Sequence, residues 1–174
     1  IERFRQPAQP QQEGGCIMLD ENRIDCTFIG HRSLEDPKTV TRQIDQWVTL
    51  LAASQKPLRF LNGGMGSFDQ LCSQAVDRLK QSHPQLSIEH WLVIPYITGA
   101  FRQDEKNLRK IYDKIITPTC LKDLPNQHAL PVRNQWMVNQ SDYALAYITH
   151  PSGGAWQTFQ FALQQPHISV VQIG

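Results

Sequence analysis

The sequence predicts an α/β protein, a Rossmann-like parallel sheet with helices on both faces in a single domain. Short apolar runs alternate with helical patterns along the chain, and glycine-rich turns join two of those runs to the helix that follows. At 174 residues the chain suits one domain with one sizeable core.

Residues 1–20 contain Pro7, Pro10, several glutamines and Gly14-Gly15, and read as a flexible extension; residues 21–174 are expected to form the ligand-binding domain. Residues 23–30 read as the first core strand, with His31-Arg32-Ser33 at its carboxyl end, and 39–53 place Val40, Ile44, Trp47, Val48 and Leu51 at helical spacing. A strand at 58–61, a helix at 68–82 and a strand at 88–94 follow. A charged helix is expected over 102–113 with Leu108, Ile111 and Tyr112 inward, then an extended piece at Ile115 and Ile116. Three prolines between 118 and 131 predict a loop that either bridges the sheet or covers it. A helix at 131–140, strand 143–148, helix 155–164 and strand 168–173 complete the order.

Composition narrows the function. Charged residues make up 19% and the net charge is +1, which disfavours a broad electrostatic surface for double-stranded nucleic acid. Cys16, Cys26, Cys72 and Cys120 are far apart and show no metal-ligand spacing, so neither a metal nor a cofactor is expected, and a reducing, cytoplasmic setting is. No apolar run reaches the roughly 20 residues that span a bilayer, and no membrane partner is expected.

Two strand-to-helix turns carry the chemistry. Asn62-Gly63-Gly64-Met65-Gly66-Ser67-Phe68-Asp69 follows the second strand, and Ser152-Gly153-Gly154 follows the run 143–148. Neither is a P-loop or a dinucleotide fingerprint. A glycine turn feeding a helix leaves N–H groups free for an anion. In a parallel sheet both turns and His31-Arg32-Ser33 open on one edge, where ligands bind.

The ordered segments FIGHRSL, LNGGMGSFDQL, VIPY, RNQWMVNQSDYALAY and SGGAWQT resemble the YpsA-like branch of the SLOG superfamily over residues 24–173. That superfamily is Rossmann-like and includes the LOG phosphoribohydrolases and the DprA single-strand DNA-binding proteins. The resemblance implies a pocket for a nucleotide or a nucleotide-derived small molecule such as an ADP-ribose or NAD derivative, in a binding or sensor domain. It implicates Gly30, His31, Arg32 and Ser33 after the first strand, and Gly63, Gly64, Gly66, Phe68 and Asp69 in the second turn. It further implicates Arg133 and Asn134, Ser141 and Asp142, and Ser152, Gly153, Gly154 and Thr158. LOG enzymes carry a PGGxGTxxE turn, whereas this chain reads Ser152 to Thr158 as SGGAWQT with no glutamate beyond it. No catalytic residue is therefore assigned. The alternatives are an N-glycosidic hydrolase using Asp69 or Asp142, and a DprA-like single-strand DNA binder. A homo-oligomer is compatible with all three.

Structural roles compete for several of these residues. Arg32 either clamps a phosphate or pairs with Glu35 or Asp36. His31 either meets the ligand or caps the strand end. Asp69 either caps its helix or holds ribose hydroxyls. Asp142 is expected to pair with Arg133 and fix the pocket wall, and Trp156 to pack on the sheet.

Overall fold

A computed structural model of the protein describes residues 22–174; the expected extension over 1–20 and Cys16 lie outside them. The described chain runs β1 (Ile24–Gly30), α1 (Pro37–Ala52), β2 (Leu58–Asn62), α2 (Ser67–Ser82), β3 (Ile88–Val93) and α3 (Gly99–Ile111). It continues through β4 (Lys114–Ile116), a 3₁₀ turn (Thr119–Leu121), α4 (Asn126–Asn139), β5 (Tyr143–Tyr147), α5 (Gly153–Leu163) and β6 (Ser169–Ile173). All five strand pairings are parallel, in a six-stranded sheet of order β4-β3-β2-β1-β5-β6.

Period-two alternation along β1 divides the core. Cys26 and Phe28 join the cluster formed with α1 and α2, while Ile29 faces α4 and α5 through Val138, Phe159 and Ala162. Near-continuous burial of β1, β2 and β5 follows from helices covering both faces. Phe28 lies parallel to Phe60 with ring centroids 5.8 Å apart, and Trp47 of α1 meets it edge-on.

Local chemistry sets the helix starts. Asp36 caps α1, accepting the Thr39 N–H, with Pro37 in the first turn, and the Thr98 hydroxyl accepts the Phe101 N–H at the start of α3.

Two expectations need correction. Residues 118–131 are not a loop throughout: α4 begins at Asn126 and contains Pro131. Pro125 stands at the N-cap with extended backbone, and Pro131 lies inside the helix at the cost of one ladder bond, to Gln127. The second concerns Ile111, which is 39% exposed, as α3 buries none of its residues. Tyr112, just past the helix, takes the inward role beside His90, with ring centroids 4.5 Å apart.

Candidate functional site

Strand order reverses at β1, where the chain steps from the β2 side of the sheet to the β5 side. Beyond the carboxyl ends of strands, such a reversal leaves a crevice that connecting loops cannot fill. A cavity of about 410 Å³ opens there, within the range of small-molecule sites. Its floor is the end of β1 through Gly30. His31, Arg32 and Ser33 form one rim, Gly63, Met65 and Asp69 a second, and Arg133 and Asn134 of α4 a third; Ser152, Gly153, Gly154 and Thr158 close the fourth side.

The α5 wall presents an uncapped helix start. Ser152 is the N-cap but makes no side-chain cap bond, and the first-turn amides of Gly153, Gly154 and Ala155 have no carbonyl within reach along the helix. The Thr158 hydroxyl donates to the Gly154 carbonyl at 2.8 Å and accepts from Asn134 Nδ2 at 3.2 Å, which ties the turn to α4. Arg32 is exposed at the rim and forms no ion pair among the described residues, with Glu35 and Asp36 included.

His31 holds the loop after β5. Thr149 N–H can only donate, so Nδ1, 3.2 Å away, accepts, and the ring proton sits on Nε2, which donates to the Ser152 carbonyl at 3.2 Å. Both nitrogens are thereby committed, and His31 lines the cavity as a brace. His150 stacks on it with ring centroids 3.7 Å apart.

The floor of the second rim carries a buried pair of opposite charges. Arg133 is 2% exposed and its Nη1 donates to the carbonyls of Gly63 at 2.9 Å and of Val93. Burial lowers its pKa to about 10 and the Asp69 charge opposes that shift. Burial of Asp69 raises its pKa to about 6, against the Met65 N–H that it accepts at 2.8 Å and the charges of Arg133 and Arg32. Asp69 therefore ties down its own turn without capping α2, whose N-cap is Gly66.

Five of the expected site residues stand outside the cavity wall. Phe68 belongs to the core, its ring stacked on Tyr147 with centroids 5.7 Å apart and pressed so closely on Gly30 that a Cβ there would lie 2.1 Å from the ring. Gly66 has φ +100° and its Cα faces the Arg32 backbone, where a Cβ would come within 2.8 Å; glycine is required there for the turn to close. Gly64 turns toward Leu92.

Asp142 is the larger correction. It precedes β5, so it lies at the opposite, amino-terminal edge of the sheet, where its Oδ2 accepts the Asp25 N–H at 2.8 Å. It does not pair with Arg133. Ser141 lies at the same end, with its hydroxyl donating to the Met137 carbonyl. Asp69 is then the one acid in the cavity wall among the described residues. Trp156 packs with Phe159, as expected.

Met65, Leu130, Met137 and His150 line the cavity without having been anticipated. Met65 carried a signal in hindsight, because it interrupts the glycines of the second turn and its sulfur meets Arg133 Nη2 at 3.4 Å. Among the described residues no helix is long and apolar enough to cross a membrane, and no cluster of metal-ligating side chains occurs.

No family model and no curated protein matches the sequence. Among solved structures the chain is similar to DNA processing protein A from Helicobacter pylori, a protein described by its single-stranded DNA binding mode, at 15% identity and a TM-score of 0.54. The match covers 80% of this chain and 60% of that one, so the chain spans less than two thirds of that protein's length. At this identity the likeness establishes the Rossmann-like fold.

Proposed function

We propose that the cavity binds a nucleotide or nucleotide-derived small molecule, with its anionic group on the amino end of α5. The observation that carries this reading is the uncapped first turn of α5, facing a 410 Å³ cavity whose rim holds the unpaired Arg32. Helix amides and dipole favour an anion, and the guanidinium adds a planar fork of donors. The same cavity suits the YpsA-like resemblance of the sequence, and its role is binding or sensing.

Calorimetric titration with nucleoside monophosphates, ADP-ribose and NAD tests the proposal, which predicts saturable binding of at least one of them. Arg32→Ala should weaken that binding about tenfold, as expected for loss of one charge-assisted contact at a partly exposed site, with the melting temperature unchanged. A folded protein that binds none of these ligands contradicts the proposal.

A second reading, single-stranded DNA binding, is favoured by the fold shared with DNA processing protein A. The net charge of +1 opposes it, since neutralising several phosphates takes clustered Lys and Arg. Oligonucleotide binding that weakens steeply with salt would favour this second reading over the first.

A further inference from the structure

We propose that Asp69 reads the sugar of the bound ligand, so that the cavity prefers a ribose to a 2′-deoxyribose. This rests on the anion reading above and adds what lies at the other end of the ligand. Arg133 is a buried cation in the cavity wall, but its Nη1 is taken by the carbonyls of Gly63 and Val93 and its Nη2 rests on the Met65 sulfur. These Nη1 and Nη2 contacts hold the β2–α2 turn against β3 and α4, while Nε is buried without a hydrogen-bond partner among the described residues.

Asp69 is committed on one side only. Its Oδ2 accepts the Met65 N–H, while Oδ1 has no hydrogen-bond partner among the described residues and is not fully enclosed by protein. The residue is 8% exposed, and it stands in the cavity wall. An ionised carboxylate only accepts, and a ligand that fills the cavity and displaces water from this acceptor must bring a donor in its place. A second anionic group is repelled there, which directs the phosphate to Arg32 and the α5 amides and leaves hydroxyl or amino hydrogens for Asp69.

A phosphorylated ribose presents that pattern within one small molecule. In dinucleotide-binding sheets an acidic side chain serves the same purpose toward the 2′-hydroxyl. Removing that hydroxyl leaves the carboxylate desolvated and unpaired, and sites built around such a hydrogen bond reject the analogue that lacks it.

The test is calorimetric titration with the four ribonucleoside 5′-monophosphates, each against its 2′-deoxy counterpart, so that contacts to the base cancel within a pair. Wild-type protein should bind the ribose form at least about tenfold more tightly. Asp69→Asn keeps an oxygen for the Met65 N–H but turns an amide donor toward the cavity, and should reduce the preference to about threefold or less. Equal binding of both forms by the wild type overturns the inference and leaves the anion reading standing. A preference retained in Asp69→Asn removes Asp69 from the sugar contact. Absence of binding by all eight nucleotides overturns the inference, while the anion reading is overturned only if ADP-ribose and NAD also fail to bind.

Discussion

Arg133→Ala is expected to lower the free energy of unfolding by about 3–5 kcal/mol, the cost of removing one member of a buried charged arrangement. The guanidinium supplies the hydrogen bond to Gly63 O and the one to Val93 O, bringing β2, β3 and α4 together at the carboxyl edge of the sheet. Truncation leaves both carbonyls without that donor and deprives buried Asp69 of the nearby positive charge that helps hold it ionised. Arg133→Lys should recover only part of the loss, because an ammonium can replace the Nη1 bonds to the two carbonyls but not the Nη2 contact to the Met65 sulfur at the same time. Urea denaturation monitored by circular dichroism measures both. A loss below about 1 kcal/mol, in the range of an exposed pair, would show that the turn is held by other contacts.

His90→Leu should gain stability relative to the wild type as the pH falls. His90 is fully buried in β3, and neither ring nitrogen has a hydrogen-bond partner. Burial lowers its pKa from 6.5 to about 3, with the Lys80 charge acting in the same direction and Asp113 against it. The unfolded chain therefore binds a proton that the folded chain refuses. Stability present above pH 6.5 is lost as pH falls from there toward 3. Between about pH 7.5 and about pH 5 the loss amounts to about 2 kcal/mol.

Asp69 has the opposite sign. Its carboxyl is raised from 3.8 to about 6, so the folded chain takes up that proton first and gains stability as pH falls through this interval. The two effects partly cancel in the wild type. Comparing wild type with His90→Leu at each pH removes the Asp69 contribution, and the difference isolates His90. At neutral pH the variant should be no less stable, since leucine replaces two unsatisfied nitrogens with packing. Parallel unfolding curves for the two proteins across this pH range would contradict the account.

The sheet was legible because its strands are apolar runs separated by helical periodicity, and the segments from β1 to β3 and from β5 to β6 agree with expectation within a few residues. The cavity edge was legible for a topological reason. A parallel sheet sends every βα turn to one edge, so His31-Arg32-Ser33, Gly63 and Ser152-Gly153-Gly154 meet at one cavity. Direction along a strand also explains the Asp142 error. Asp142 enters β5 and Ser152 follows it, so the two lie at opposite edges although they are near in sequence.

Side-chain partners were the least legible. The glycine turn marked a site but did not distinguish residues that face the cavity, such as Gly63 and Asp69, from those that serve packing, such as Gly66 and Phe68. That division depends on β2 and α2 approaching the end of β1, where the Phe68 ring lies under Gly30 and Arg32 lies over Gly66. The second error has a similar origin. Prolines near 125 and 131 suggested a loop, yet one sits at a helix start and the helix accommodates the other with the loss of one bond.

The most direct test of an anion held on α5 is a two-dimensional amide NMR titration with adenosine monophosphate. The largest shifts are predicted at the amides of Gly153, Gly154 and Ala155, with smaller ones at Gly63 and Asp69, saturating together along one binding curve. Binding that leaves the three α5 amides unmoved while residues of α3 or the amino-terminal sheet edge shift would contradict the placement of the site.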